Sequence, residues 1–289
     1  MPAGGRPTVR SRRLGTALRA YRLAAKLDQP QAAEVIASSQ ARISRMESGR
    51  ATPRVIEVRL LLDAYGVTDS GVREKLEELA KHSKKRGWWL EYAGDLRPDY
   101  LDYIAMEDDA VCIRQWQPVL VPGLLQTAAY SKAVVEGGPN TLTPERVSRL
   151  VEVRRRRQKR VVEGEVKYSA VLWEATIEYP LMDTETHLGQ LSAILEFAGQ
   201  KNVDVHILPF GAGTLTAAFS AFSAFSFDSE SEIEAVAMDD VMNSSVIESR
   251  RDLDSYSSSY DMMLASSLTP EESMKLVRRK LESLGKGEK

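Results

Sequence analysis

The spacing of apolar residues over the first third of the chain predicts a series of short amphipathic helices. In the first helix, from Ser11 onward, the inward positions are Leu14, Leu18, Tyr21 and Ala25. Thr52-Pro53 is a cap-and-start signal for a fourth helix, and a fifth is expected over about residues 70–85. With two helices between these, the pattern predicts an N-terminal bundle of five helices.

The stretch Leu27–Arg54 holds the two helices in the middle of this series, joined by a tight turn. Asp28 is an acceptor placed to cap free backbone N–H groups, and a proline follows in the first turn, so a helix is expected to start at about Gln29. Small polar residues end it. Ser39 is then free to cap the next helix, Gln40–Glu47.

This third helix has one apolar face and one polar face. Ile43 and Met46, three residues apart, are its inward residues. The outward residues are Gln40, Ala41, Arg42, Ser44 and Arg45. Because a glutamine can bridge adenine and an arginine can fork onto guanine, this face suits base edges in the major groove. An ordinary two-helix hairpin in a helical bundle is the alternative.

The same stretch resembles the XRE-type, phage-repressor-like helix-turn-helix family. The matching residues are Gln29, Ala33, Ser39, Gln40, Ile43, Ser44, Arg45, Met46, Glu47 and Gly49. The resemblance implies a DNA-binding domain that accounts for the whole N-terminal third. It also implies an ion pair between Arg22 in the first helix and Glu47 at the end of the third, the alternative being that both face water.

In such a domain each exposed polar residue has an expected role. Gln40 and Arg45 are expected to read bases, and Ala41 to touch a thymine methyl. Gln29 is expected to bind a phosphate at a helix N-terminus. The remaining contacts to the DNA backbone are assigned to Ser39, Arg42, Ser44, Arg50 and Arg54.

Beyond about residue 100 the pattern changes to short strand-like runs between helices. Strands are expected near 166–173, 203–208, 219–227 and 233–238, and 110–116 is read as a strand or a short helix start. Helices are expected near 124–135, from 144, and at 183–198, 253–264 and 270–284. A strand, helix, strand order allows a parallel crossover. The predicted fold class is mainly α with an α+β second domain, in which a mixed sheet is joined to helices.

A cluster of aromatic residues separates the two patterns. Its members are Trp88, Trp89, Tyr92, Tyr100 and Tyr103. Aromatic side chains at a junction commonly pack one domain onto the next, and stacking on single-stranded nucleic acid is the alternative. The expected division is a DNA-binding domain over 1–87, an aromatic junction over 88–102, and an α+β sensing or partner-binding domain over 103–289.

The second domain also resembles a known family. Leu120–Thr127, Val203–Phe210 and Leu268–Ser273 look like the C-terminal domain found behind XRE modules in many actinobacterial regulators. These are described as antitoxin-like and often neighbour a small partner protein, so the resemblance implies such a partner. The chain departs from the commoner family pattern over Phe219–Phe225, and no ligand pocket is carried over there.

The overall formal charge of −2 hides a division between the two ends of the chain. Residues 1–87 hold 18 Lys and Arg against 9 Asp and Glu, whereas the remainder holds 21 against 32. The basic end is the one with the helix-turn-helix pattern. Such asymmetry is expected when one domain neutralises phosphates and the other does not.

The run 154–160 stands out because six of its seven residues are cations. Consecutive helix positions point all round the helix, so they cannot make one flat phosphate-binding face. The run is therefore predicted to be a solvated helix paired with acidic residues. A second DNA contact or an acidic partner is the alternative.

No group of residues predicts catalysis, a metal or a cofactor. Cys112 is the lone cysteine, and His82, His187 and His206 are scattered without metal-ligand spacing. Gly211-Ala-Gly213 follows a strand, but the third glycine of a dinucleotide loop is absent. With no internal disulfide, signal peptide or long apolar stretch, a cytoplasmic protein is expected, nucleoid-associated when bound to DNA.

The sequence thus predicts a non-enzymatic, homodimeric regulator that binds double-stranded DNA, with a second domain that dimerises and binds an effector or partner. Two alternatives of other kinds stay open. One is an antitoxin-like protein that sequesters a small cognate protein and autoregulates its operon. The other is a repressor that responds to a metabolite bound in the α+β domain.

Overall fold

The chain forms two compact units, Met1–Leu90 and Glu91–Lys289, in the computed structural model. The residues that the structure describes are 8–82, 87–139, 141–212, 214, 219–228, 232–239 and 244–286. Each unit has its own hydrophobic core.

The described part of the first unit is a bundle of five α-helices, as predicted. They are α1 (Val9–Ala24), α2 (Gln29–Val35), α3 (Gln40–Glu47), α4 (Val55–Ala64) and α5 (Ser70–His82). The apolar positions that predicted α1, α3 and α4 meet in one core, which includes Leu14, Leu18, Ile43, Met46, Leu61 and Leu62. Helical spacing therefore identified the buried faces correctly.

The start of α4 differs from the prediction. Thr52-Pro53 precedes the helix, which begins at Val55 with Arg54 at the N-cap. The Glu57 side chain accepts a hydrogen bond from the Arg54 backbone N–H at 2.6 Å. This carboxylate caps the helix at Arg54, so the helix starts two residues later than the Thr52-Pro53 signal indicated.

The second unit alternates helices and strands. Its helices are α6 (Pro98–Asp109), α7 (Ala128–Glu136), α8 (Pro144–Val162), α9 (Ala175–Glu178), α10 (Thr184–Phe197), α11 (Arg250–Ala265) and α12 (Pro270–Lys286). Its strands are β1 (Cys112–Gln117), β2 (Lys167–Trp173), β3 (Val203–Leu208), β4 (Phe222–Ser226), β5 (Ala235–Asp239) and β6 (Ser244–Ile247). Short 3-10 helices lie at Trp88–Tyr92, Gly123–Leu125 and Phe210–Ala212.

The six described strands form one mixed sheet in the order β3-β2-β1-β4-β5-β6. β1, β2 and β3 run parallel, and the predicted crossover through α10 joins β2 to β3. The β1–β4, β4–β5 and β5–β6 pairs are antiparallel. The predicted α+β class with a mixed sheet is confirmed, although β6 was not predicted.

The two faces of this sheet carry different helices. On one face Trp116 and Phe222 pack with Leu253, Tyr260 and Met263, so α11 covers that side. On the other face the α6 residue Tyr103 packs edge-on against Phe225, with ring centroids 5.7 Å apart, and α8 packs on α6. The sheet is thus buried between two helical layers.

The helix predicted over 124–135 is divided in the structure. A 3-10 turn ends at Leu125, and Thr127 then caps α7 by accepting a hydrogen bond from the Tyr130 N–H at 3.1 Å. A threonine at this position favours a new helix start over continuation.

Two residues of the aromatic cluster, the half-buried Tyr100 and the buried Tyr103, belong to the second unit. Tyr100 and Tyr103 lie on α6 with stacked rings 5.8 Å apart. The Tyr103 hydroxyl shares a 2.9 Å hydrogen bond with Ser223 on β4. Tyr103 therefore joins α6 to the sheet, and Tyr100, which was assigned to the junction, packs on Tyr103.

The prediction of a solvated basic run at 154–160 is wrong for half of its cations. Arg157 is buried and forms a bidentate pair with Glu107, at 2.8 and 2.7 Å. Arg160 donates to the backbone carbonyls of Glu107, Asp108 and Ala110. Arg154 is half-buried, whereas Arg155 and Lys159 are exposed, as predicted. Successive residues of the run point in different directions around α8, so some of the cations face the interior and others face the solvent.

In the described part of the chain, no helix combines the length and the apolar composition needed to cross a membrane.

Candidate nucleic-acid interface

The local chemistry of the second helix follows its sequence signals. Asp28 accepts a hydrogen bond from the Gln31 N–H at 2.8 Å, and Gln31 accepts one from the Asp28 N–H at 2.9 Å. This reciprocal capping box, with Pro30 in the first turn, starts α2 at Gln29 as predicted.

The turn between α2 and α3 requires one unusual backbone conformation. Ala37 has a φ of +48°, in the left-handed region that favours glycine. The Ser38 N–H bonds back to the Ala33 carbonyl, and Ser39 caps α3 by accepting from the Arg42 N–H at 3.3 Å. These bonds fix the backbone of the turn between the two helices.

The predicted division of α3 into two faces is present in the structure. Ile43 and Met46 are each 1% exposed, so the inward face is fully buried. The outward residues Gln40, Ala41, Ser44 and Arg45 are all exposed. Within the described residues, the Arg45 guanidinium has no ion-pair partner. Its fork of N–H donors is therefore open to a ligand.

Two glycines allow α1 and α3 to approach closely. A Cβ atom at Gly15 would lie 2.3 Å from the Met46 carbonyl oxygen and 2.7 Å from that of Glu47. Gly49 follows α3 with a φ of +73°, and a Cβ there would lie 2.9 Å from the Arg12 nitrogen. The close packing at both positions requires hydrogen in place of a side chain.

The structure brings Arg22 and Glu47 together inside the first unit. Arg22 Nε donates to Glu47 Oε1 at 2.6 Å, and Arg22 Nη2 donates to Glu47 Oε2 at 2.9 Å. The third branch, Arg22 Nη1, donates to the Leu27 carbonyl at 2.8 Å. The pair therefore ties α1 and the α1–α2 turn to the C-terminal end of α3.

Gln29 joins this pair from the start of α2. Its Nε2 atom donates to Glu47 Oε2 at 3.0 Å, so the amide is held in one orientation. Sequence reasoning placed Gln29 on a DNA phosphate and did not anticipate this bond. Because an amide nitrogen carries two N–H groups, the bond to Glu47 leaves a second donor.

The surroundings of Glu47 keep it charged. Burial alone would raise the pKa of its carboxyl, but hydrogen bonds from Arg22 and Gln29 outweigh burial, and the pKa lies below its ordinary value. The pKa of the neighbouring Tyr65 is shifted in the opposite direction. Burial and the Glu47 charge raise the pKa of Tyr65 to about 12, so its hydroxyl stays neutral.

Glu57 forms ion pairs with two of the arginines that were predicted to bind the DNA backbone. Arg42 Nη2 lies 3.1 and 3.0 Å from the two Glu57 oxygens, and Arg54 Nη2 lies 3.3 Å from one of them. Glu57 itself is only 4% exposed. Although burial opposes it, hydrogen bonds from Arg54 and Arg42 lower the pKa of Glu57. Sequence reasoning missed Glu57, which the capping position three residues after Arg54 could have indicated.

The other predicted backbone contacts lie around the same helix. Ser39 at the start of α3 and Ser44 within it are exposed, and so is Arg50, three residues beyond its end. The structure therefore places the predicted base-reading and backbone-binding residues on α3 and on the segments that flank it.

The residues considered for catalysis lie in separate elements. Cys112 is buried on β1, His82 is on α5, His187 is on α10 and His206 is on β3. The described residues contain no group of three metal-ligating side chains. Gly213, which the dinucleotide-loop comparison required, lies outside the described residues.

Comparison with known families gives two matches along the chain. Residues 13–75 match a family described as a helix-turn-helix domain, which supports a DNA-binding regulator. Residues 100–279 match the family described as a domain of unknown function, DUF5753. No curated protein and no solved structure matches the chain. The second match covers more than half of the residues of this chain. The chain therefore belongs to the DUF5753 family and carries a helix-turn-helix domain ahead of that region.

Proposed function

We propose that the protein is a sequence-specific transcriptional regulator whose helix α3 enters the major groove of double-stranded DNA. The observation that carries this proposal is the exposed polar face of α3, opposite a face that is fully buried. A helix held rigidly from behind can present its outer side chains to base edges in one register.

The base-reading residues are Gln40, Ala41 and Arg45. The Gln40 amide offers a donor and an acceptor to adenine, and the Arg45 fork matches the two acceptors of guanine. Ala41, between them in the helix, is small enough to let a thymine methyl approach. These contacts give the protein its sequence preference.

The backbone contacts are made by Gln29, Ser39, Arg42, Ser44, Arg50 and Arg54. Glu57 holds Arg42 and Arg54 beside the start of α4, so their guanidinium groups are positioned before DNA arrives. Glu47 does the same for the Gln29 amide. Prior ordering of these side chains reduces the entropy lost on binding.

The functional form is a homodimer. One recognition helix contacts only a few base pairs, and two half-sites about one helical turn apart provide the specificity that a regulator needs. The second unit dimerises the chain and receives an effector or a partner protein. Its contribution is regulatory rather than enzymatic.

The experiment is a selection of binding sites from random DNA, followed by gel-shift titration of the selected site. Arg45→Ala is expected to lose about 1–3 kcal/mol of specific binding, or roughly 5–150-fold, and to relax the preference at one base pair. Arg59→Ala is the matched control, since Arg59 is exposed on α4 and pairs with Glu77 at 2.7 Å.

A second variant separates base reading from electrostatic attraction. Arg50→Ala is expected to weaken binding to all sequences alike and to reduce the salt dependence by about one phosphate contact. If no sequence is enriched, or if Arg45→Ala binds the selected site as tightly as Arg59→Ala does, α3 is not the reading helix.

A further inference from the structure

A polar cavity of about 150 Å³ lies within the second unit, on the side of the sheet that carries α6 and α8. Its walls include Tyr100 from α6, Gln117 from β1, Gln126 from the β1–α7 connection, Arg154 from α8, and Asp239 from β5. β1 is the strand at which the strand order reverses, from β3-β2-β1 on one side to β4-β5-β6 on the other. Changes of strand order are common positions for ligand sites in α/β sheets.

Arg154 is the unusual group in this cavity because, among the described residues, its hydrogen bonds go to uncharged groups. Arg154 Nη1 donates to Gln126 Oε1 and to the Ser131 carbonyl, each at 3.1 Å. The Tyr100 hydroxyl is a further neutral neighbour. Among the described residues, no carboxylate lies within ion-pair distance of Arg154.

The next arginine on the same side of α8 shows the contrast. Arg157 is paired in bidentate fashion with Glu107 and also donates to the Tyr100 hydroxyl. Arg157 therefore has a bound counterion inside the protein, whereas Arg154 has no carboxylate in direct contact among the described residues. A partly desolvated guanidinium without an anion is costly, and proteins commonly keep such a group where a ligand supplies the anion.

Burial is also the main influence on the Arg154 titration. It lowers the pKa of the guanidinium, nearby Arg157 lowers it further, and Tyr100 and Asp239 oppose the change. An arginine still carries its charge at neutral pH when its pKa is lowered in this way. The direction of the change agrees with a cation whose burial is only partly offset by the Asp239 charge and the Tyr100 hydroxyl.

The strand β5 contributes an acceptor to the cavity wall. Asp239 ends β5, where Arg97 Nη2 donates to its Oδ1 atom at 2.8 Å and the Ser244 hydroxyl donates to the same oxygen. Burial raises the pKa of Asp239, although the Ser244 hydrogen bond and the charges of Arg97 and Arg157 oppose the rise. A ligand that fills the cavity therefore meets a cation on one side and a carboxyl on another.

We propose that this cavity binds a small organic carboxylate whose anion pairs with Arg154 and whose amine or hydroxyl group donates to Asp239. Gln117, half-buried in the wall, supplies a further amide contact. A cavity of this volume holds a molecule about as large as benzene, so α-amino acids and α-hydroxy acids of the smallest sizes fit.

The charges around the cavity favour a monoanion over a dianion such as inorganic phosphate. Glu107 lies behind Arg157, and Asp239 faces the same space. A second negative charge on the ligand would be repelled by these groups, while a carboxylate fork matches the planar guanidinium. Ligand size and ligand charge therefore point to the same chemical class.

The test is calorimetric titration of the full chain, without DNA, with glycine, L-alanine, L-serine, glycolate and L-lactate. L-Alaninamide and inorganic phosphate are the comparison compounds. At least one acid is expected to bind, and the amide, which lacks the carboxylate, is expected to bind at least tenfold more weakly. If none of the acids binds at 10 mM concentrations, or if phosphate or the amide binds equally well, the proposal is overturned.

Variants locate the site. Arg154→Gln is expected to weaken binding at least tenfold, whereas Arg155→Gln, on the exposed side of the same helix, leaves it unchanged. Gln117→Glu places a negative charge in the wall with almost no change in shape, and it should weaken binding even if Arg154→Gln fails to fold. Unchanged affinity in Gln117→Glu and in any folded Arg154→Gln protein contradicts the assignment.

A regulatory meaning for this ligand rests on the function proposed above. Its binding is measured without DNA, and DNA binding is measured without the ligand. Failure of the carboxylate to bind would leave the role of α3 intact, and failure of the DNA selection would leave the cavity assignment intact.

Discussion

Arg22 and Glu47 form a buried bidentate ion pair that joins α1 to the C-terminal end of α3. Their side chains are 7% and 5% exposed. A pair on the surface contributes little, because water screens each charge. Removing one member of a buried pair destabilises the protein strongly, since the other charge is left buried without a partner.

The first prediction concerns the free energy of unfolding of the first unit. Arg22→Met is expected to lower it by about 3–5 kcal/mol, because Glu47 would stay buried without its main counterion. Amide hydrogen exchange in α1 and α3 measures this free energy separately from that of the second unit. The double variant Arg22→Met/Glu47→Leu should recover part of the loss. Additive losses in the double variant would contradict coupling between the two residues.

The second prediction follows from the lowered pKa of Glu47 and of Glu57. A carboxyl whose pKa is lower in the folded state contributes stability above its unfolded pKa of about 4.3, and that stability is lost as the pH falls through the folded pKa. The first unit should therefore lose stability on acidification below about pH 4.5. Exchange protection measured between pH 6 and pH 3 checks the sign.

Glu47→Gln provides the control for this pH dependence. The amide cannot titrate, so the variant is expected to be less stable at pH 6 and to lose less stability than the wild-type protein on acidification. Glu57 should account for the dependence of stability on pH that remains in this variant. A variant that keeps the full wild-type slope would show that Glu47 does not contribute to it.

The third prediction concerns the contact between α1 and α3. Gly15→Ala is expected to destabilise the first unit by about 1–3 kcal/mol, because the new methyl group would overlap the Met46 carbonyl and force the helices apart. Thr16→Ala, exposed at the next position of α1, should be neutral or slightly stabilising because alanine favours helix. Equal effects at the two positions would contradict a packing cause.

The fourth prediction has the opposite sign. Ala37→Gly is expected to stabilise the first unit by up to about 1 kcal/mol, because glycine adopts the positive φ of this turn without the steric cost that alanine carries. Ala20→Gly, at an exposed position inside α1, should instead cost about 1 kcal/mol. Thermal unfolding of the two variants beside wild type distinguishes these effects, and destabilisation by both would exclude backbone strain at residue 37.

The parts of the fold that the sequence predicted depend on neighbouring residues. The cap at Asp28, the inward pair Ile43 and Met46, and the strand Val203–Leu208 all carry their signal within a few positions. The exposed face of α3 was predictable for the same reason. Each of these features is decided mainly by local spacing.

The features that were missed depend on distant partners. Strand β6 has the sequence SSVI, too short and too polar to stand out, and it exists because its backbone pairs with β5. The environment of Arg157 depends on Glu107, fifty positions earlier in the chain. A run of cations in sequence does not show which members meet a carboxylate after folding.

The last prediction compares a buried and an exposed arginine of the basic run 154–160. Arg157→Met is expected to lower the stability of the second unit by about 3–5 kcal/mol, since Glu107 would be left buried and unpaired. Arg155→Met removes an equal charge from an exposed pair with Glu152 and should cost no more than about 1 kcal/mol. Hydrogen exchange in α6, α8 and β1 reports both changes. If the two variants lose equal stability, the position of Arg157 inside the domain does not explain its contribution, and the original interpretation of a solvated run would have to be restored.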